Sequence, residues 1–267
     1  MKKVLAFIFA ALMCVSLFAG CAEQKEDWAY IEDKGELIIG ITLFAPMNYK
    51  DAEGELTGFE TEFAKAVCEE LGLKAKFQVI EWSAKETELN SKNIDCIWNG
   101  MTIDDDRRAN MAISVPYMKN QQVMVVRQEN ADKYTDAASL KDAVVVAEKK
   151  SAGETVAQKN ETFAQAKYTA VDSQAKVLLE VKAGTADVGL IDYVMSIGSL
   201  GEGTDYADLT VTDQTFNPEE YGIAFRKGST ETLEKVNAAI QKLADNGTLQ
   251  NIAKKYKLDE LLLVKAK

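Results

Sequence analysis

The sequence predicts an α/β protein built from two successive β-α series. Three observations predict it. From residue 35 onward, short apolar runs alternate with segments whose apolar residues recur every three or four positions. The alternation pauses near residue 122 and then begins again. The chain has 267 residues, 47% of them hydrophobic, enough for one large unit or two lobes of about 100–130 residues with real cores.

In the first series, Leu37–Ile41 reads as a strand and Asp51–Gly54 as a turn. Residues 60–71 place Phe63, Val67 and Leu71 at intervals of four, with Gly72 as the helix stop. Lys76–Ile80 is a strand, Ser83–Asn90 a short helix and Ile94–Asn99 a strand. In the second series, strands are expected at 144–147, 168–170 and 187–191, with helices at 153–160 and 173–182. Two extended runs, Gln122–Arg127 and Tyr221–Arg226, lie between and after them. A helix over Thr230–Asp245 carries Leu233, Val236, Ile240 and Leu243 on one stripe and ends at Asn246-Gly247. Thr248 is positioned to cap a last helix. Such a β-α-β-α rhythm implies parallel sheets with helices on both faces. Ligand groups then belong at the carboxyl ends of strands, beside helix amino termini.

Composition narrows the chemistry. The formal charge of −11 argues against nucleic acid, because phosphate binding needs clustered Lys and Arg. With no histidine, the Ser-His-Asp and Cys-His arrangements, His-ligated zinc and the imidazole switch are all excluded. Any catalysis falls to carboxylates, Lys, Tyr or Cys, so binding is the first reading.

Lys2 and Lys3 precede an apolar run from Val4 to Phe18, then Ala19, Gly20 and Cys21, the pattern of an export signal. Leu17-Phe18-Ala19-Gly20-Cys21 resembles the lipobox of bacterial lipoproteins, which implies a signal peptide over 1–20 and lipid on Cys21. Loss of those 20 residues, two lysines among them, leaves 247 residues and a formal charge of −13. Residues 21–34 read as a tether. Cys14 falls in the discarded segment, leaving Cys68 and Cys96, read as buried thiols with a disulfide between them still open. Neither sits in a C-x-x-C, so no metal site is expected.

Five motifs lie in register. They are Gly58-Phe59-Glu60 entering a helix; Ile94 through Thr102 (IDCIWNGMT) with Arg107 five residues on; Ala183 through Asp192 (AGTADVGLID); Tyr221 through Gly228; and Ala244 through Thr248. Together they resemble family 3 of the extracellular solute-binding proteins, the amino-acid receptors of bacterial ABC importers, over about residues 35–258. The resemblance implies a type II periplasmic-binding-protein-like fold, two Rossmann-like lobes joined by two hinge strands. Residues 35–121 would form the first part of lobe 1, 122–217 lobe 2 with its hinge strand, and 218–267 the return strand with the rest of lobe 1.

By the same resemblance, Arg107 grips the ligand α-carboxylate, which suits a planar guanidinium able to make two parallel charge-assisted bonds. From spacing alone, Arg107 is equally a surface partner of Asp104, Asp105 or Asp106. Asp192 matches the aspartate that takes the α-ammonium, though an aspartate after a strand is also an ordinary helix cap. Thr102 and the Gly100 carbonyl match positions that bond the carboxylate and ammonium, and Asn99 sits in the same turn. Phe44 and Trp82 are candidates for an apolar wall, with Ala45 where the family has its aromatic and Tyr49 a substitute. Trp98 either lines the pocket or lies beneath it. In the second-lobe loop Ser151 keeps the family's hydroxyl, while Lys150 replaces glycine and Ala152 the second hydroxyl. Lys149 and Lys150 are then either solvated or aimed at an acidic ligand.

The function expected on this reading is capture of a polar amino acid between closing lobes and its delivery to a permease. The partners are a free amino acid, the permease's membrane subunits and the membrane through a lipid anchor. The protein would act as a monomer, with no cofactor, metal or nucleic acid. An enzymatic alternative is a prephenate-type dehydratase on the same fold, for which Glu148 is the spare carboxylate near the cleft. A third is an amino-acid sensor module.

Overall fold

The computed structural model describes residues 27–267. The expected export segment 1–20 and the lipidated Cys21 lie outside the described residues. The tether expected over 21–34 is helical where it is described: α1 spans Asp27–Lys34. Trp28 and Ile31 face the protein and are buried, because they lie three apart on one helical face. Asp27 accepts from Arg226 Nε at 2.8 Å and from Ser229 Oγ at 2.6 Å, and Lys34 pairs with the buried Asp95. This segment therefore belongs to lobe 1.

Lobe 1 is built on a five-stranded sheet. Its strands are β1 (Glu36–Ile41), β4 (Lys74–Val79), β5 (Cys96–Ile97), β6 (Met111–Ile113) and β12 (Ala224–Arg226). β2 (Tyr49–Lys50) and β3 (Leu56–Thr57) make a separate hairpin. The sheet order is β4-β1-β5-β12-β6, with β1 parallel to β4 and β5, and β12 antiparallel to β5 and β6. The helix α2 (Phe59–Glu70) buries Phe59, Phe63 and Val67 completely, as their four-residue spacing demands. α3 (Lys85–Asn90) follows a 3₁₀ turn at Trp82–Ala84, and α4 (Asp105–Asn110) is capped by Asp104, which accepts from Arg107 N.

Lobe 2 has the sheet order β11-β7-β10-β8-β9. Here β7 is Met118–Arg127, β8 Val144–Glu148, β9 Lys167–Val171, β10 Val188–Asp192 and β11 Leu209–Tyr221. β8 is parallel to β9 and β10, while β7 runs antiparallel to β10 and β11. Both sheets are thus mixed, not parallel throughout, because the segments that cross between lobes enter against the βα strands. β7 buries both faces: Val123 and Val125 join the core that runs through both lobes, and Met124 and Val126 a second core within lobe 2. The helices are α5 (Ala152–Lys159), α6 (Gln174–Ala183) and α7 (Tyr193–Ser199). α8 (Thr230–Asp245) and α9 (Thr248–Lys255) return to lobe 1 and pack on α2. Gly247, at φ +81°, precedes α9, and Thr248 makes no side-chain cap there.

The lobes are joined by a ribbon in which Asn120 faces Glu219 and Gln121 faces Pro218. The return run expected at Tyr221–Arg226 is divided: Tyr221 ends β11 and Ala224 begins β12. Gly222 separates them, where a Cβ would lie 2.7 Å from Ile113 Cγ2. Cys68 and Cys96 are buried and free, burial pushing the Cys68 thiol up to about 12.

Candidate functional site

The carboxyl ends of β1, β5, β8 and β10 converge on a narrow cleft between the lobes. It is lined by Thr42, Phe44, Trp82, Asn99, Gly100, Thr102 and Arg107 from lobe 1, and by Glu148, Ser151, Ala152, Gln174 and Asp192 from lobe 2. Contacts across the cleft hold the lobes together. Lys85 Nζ donates to Lys150 O at 3.2 Å, Lys150 Nζ to Ser83 O at 3.0 Å, and Ser199 Oγ to Ala45 O at 3.4 Å. Gly198 packs so closely on Pro46 that a Cβ there would meet Pro46 Cδ at 2.6 Å. The arrangement is closed.

Arg107 enters the cleft from the first turns of α4 and is only 8% exposed. Nη1 donates to the Thr102 carbonyl at 2.5 Å, and Nε lies 3.3 Å from Asp104 Oδ2. Both alternatives read from the sequence therefore coexist: the arginine is paired with Asp104 on its outer side and reaches the cleft. Those bonds occupy Nε and Nη1 and fix the plane of the guanidinium.

Asp192 ends β10 at the N-cap position of α7, yet its side chain makes no cap bond. Its carboxylate instead accepts from Asn120 Nδ2 at 2.8 Å, Gln122 Nε2 at 2.5 Å and Gln174 Nε2. Burial pushes its pKa up and the three amide donors oppose that shift. Glu219 shares two of these amides, Asn120 at 2.9 Å and Gln122 at 3.1 Å, and accepts from Thr102 Oγ1 at 3.0 Å. Burial, with Asp192 beside it, raises Glu219 to about 7. The Thr102 hydroxyl is thus directed at Glu219.

Gly100 adopts φ +52°, and a Cβ there would lie 2.9 Å from Phe44 Cζ, so the turn and the ring above it require glycine. Its N–H donates to Glu60 Oε1 at 2.8 Å. Asn99 is tied to Thr42, donating to its carbonyl at 2.9 Å and accepting from its hydroxyl at 2.6 Å. Phe44 and Trp82 both line the cleft. Trp98 does not: its ring is fully buried and meets Phe63 edge-on at 5.0 Å, in the lobe 1 core beneath the turn. Ser151 caps α5, accepting from Glu154 N at 3.1 Å. Lys149 is exposed; Lys150 adopts φ +58° and spans the lobes.

Sequence reasoning passed over Thr42, Asn120, Gln122, Gln174 and Glu219. For Asn120 and Gln122 a signal existed: they are the first and third of three successive amides, so they share one face of a strand that turns apolar only from Val123. Gln174 opens α6 with no local mark of its role. No group of three or more carboxylates and thiols is arranged to hold a metal among the described residues.

Two α/β lobes on a crossing ribbon, with a polar cleft closed between them, define the class of two-lobed binding proteins. The profile of the bacterial extracellular solute-binding proteins, family 3, matches residues 37–259, and the chain belongs to that family. It is 30% identical over 272 residues to the L-cystine-binding protein TcyA of Bacillus subtilis, covering 96% of this chain and 97% of that one. It is 28% identical over 259 residues to the L-cystine-binding protein TcyJ of Escherichia coli, covering 95% and 92%. Among solved structures, a histidine-bound ABC uptake transporter substrate-binding protein of Streptococcus pneumoniae superposes with TM-score 0.76 at 28% identity, covering 87% of this chain and 96% of that one.

Proposed function

We propose that the protein captures a free amino acid outside the cytoplasm and presents it to the permease of an ABC importer. The observation that carries this reading is the disposition of Arg107 and Asp192. They reach one cleft from opposite lobes, and the Asp192 carboxylate forgoes its cap position for three amides that hold it in the cleft. A guanidinium matches an α-carboxylate and a fixed carboxylate matches an α-ammonium, so a zwitterion bridges the lobes and favours the closed form. The Gly100 carbonyl adds an acceptor for the ammonium, and the α5 amino terminus at Ser151 adds donors for the carboxylate. Phe44 and Trp82 form the apolar wall.

The relatives' names support an amino-acid ligand, since those proteins bind cystine, arginine, glutamine or histidine. Transport, not catalysis, is the reading: gripping a zwitterion requires no proton to move. The chain works as a monomer, and Cys21 anchors it by lipid; no described helix is long and apolar enough to cross a membrane.

A thermal-shift screen of the twenty amino acids plus cystine tests the reading, with prephenate added and its turnover followed. Ligand at about 100 times its dissociation constant adds about 2.7 kcal/mol of stability. Stabilisation by at least one amino acid is expected. A protein that responds to none, or turns over prephenate, contradicts it.

A further inference from the structure

Glu148 ends β8 inside the cleft and is 3% exposed. Among the described residues, its Oε1 has no hydrogen-bond partner. Lys85, whose charge acts on Glu148, does not supply one: its Nζ donates to the carbonyls of Trp82, at 3.4 Å, and Lys150, at 3.2 Å. Trp82 lines the same cleft, and its indole Nε1–H is likewise buried without a partner. Lys85 sits 4.6 Å from the centre of the Trp82 ring and fixes its position. The cleft thus offers an unmet acceptor and an unmet donor, with Lys85 beside both residues and neither group bonded to Arg107 or Asp192.

We propose that Glu148 and Trp82 form a second polar subsite, which receives the far end of a ligand side chain carrying both an N–H donor for the Glu148 carboxyl and an acceptor for the Trp82 indole. The proposal rests on the reading of the cleft as an amino-acid site and names the class of side chain it selects. A carboxamide and a second ammonium–carboxylate head both meet it, as do a neutral imidazole and a hydroxyl. A guanidinium offers donors only and leaves the indole unmet. A side-chain carboxylate carries acceptors only and leaves the Glu148 Oε1 unmet. An apolar end strands both groups, and each stranded buried group costs about tenfold in affinity. Burial, with Asp192 adding to it and Lys85 opposing, raises Glu148 to about 8, as expected for a carboxyl that awaits a donor.

Calorimetric titration of the full chain with glutamine, cystine, arginine, glutamate and methionine tests this. Glutamine or cystine is expected to bind at least about tenfold tighter than the other three. Glutamine as the tightest ligand identifies the carboxamide, cystine the second amino-acid head. Glu148→Leu is expected to abolish that advantage without lowering the ligand-free melting temperature, since it removes a buried unpaired carboxyl. Glu148→Gln, which keeps the shape and one acceptor, serves if the leucine variant does not fold, and is expected to keep part of the advantage. Trp82→Phe reduces it. Methionine, arginine or glutamate binding as tightly as the better of glutamine and cystine overturns the subsite and leaves the amino-acid reading intact. So does an unchanged ranking in Glu148→Leu. Binding of no amino acid overturns the amino-acid reading and the subsite with it.

Discussion

Gly198 allows lobe closure to be perturbed without touching the cleft. It lies in α7 of lobe 2, and its Cβ position is 2.6 Å from Pro46 Cδ, 2.6 Å from Pro46 N and 2.9 Å from Ala45 C, all in lobe 1. Two of these three atoms are backbone, so no side-chain rotation relieves the clash. Gly198→Ala therefore overpacks the closed form, at about 1–3 kcal/mol. The open form has no such contact, and there alanine favours the helix by about 0.5–1 kcal/mol. Since ligand binding draws on closure, affinity falls by about 5- to 150-fold while ligand-free stability holds or rises slightly. Calorimetry gives the affinity, thermal unfolding the stability, and small-angle scattering the fraction closed at saturation. An affinity within twofold of the parent, or a lower ligand-free melting point with affinity kept, refutes the reasoning.

Other consequences follow from the same geometry. Lys150→Ala removes the bond to Ser83 O, which weakens binding about two- to tenfold by calorimetry. Lys150→Gly loses the same bond but relieves φ +58°, so it binds like the alanine variant and melts higher. The ligand-free protein is more stable at pH 5.5 than at pH 7.5 by chemical denaturation. Glu60 and Glu219 are raised to about 7 and Glu148 to about 8, so the folded chain holds protons the unfolded chain has released. Stability is complete below the unfolded carboxyl pKa and declines as pH rises through the folded values. Amino-acid affinity changes in the opposite direction, because the α-ammonium requires ionised Asp192, whose pKa burial also raises. Titrations across that range should show binding weaken as pH falls.

The long amphipathic helices were legible because burial follows their periodicity: Phe59, Phe63 and Val67 in α2, and Val236, Ile240 and Leu243 in α8. α4 and α7 are six and seven residues, too short for a period to declare itself. The β7–β11 ribbon was foreshadowed only at Gln122–Arg127, because its partner is threonine-rich and irregular, with register shifts after Val211 and Phe216. In the cleft, Arg107 and Asp192 stood out through their motifs. The amides that hold Asp192 come from a hinge strand and a helix start far apart in sequence, so only the fold unites them. In sequence Lys150 offers only its charge, whereas the structure uses its backbone angle and its bond across the lobes. Trp98 was ambiguous because an aromatic beside a cleft turn serves core and pocket equally well; its contact with Phe63 places it in the core.

The central claim, that Arg107 and Asp192 clamp a zwitterion, is tested most directly by a cycle of protein and ligand changes. The tightest-binding amino acid, its carboxamide and its N-acetyl derivative are titrated into the parent, Arg107→Ala and Asp192→Ala. Loss of a buried charged partner should cost about 2–5 kcal/mol in each single change. If the pairing is right, blocking the carboxylate costs little more once Arg107 is gone, and blocking the ammonium little more once Asp192 is gone. Additive losses in both cycles, or near-parental affinity in either variant, would contradict the account.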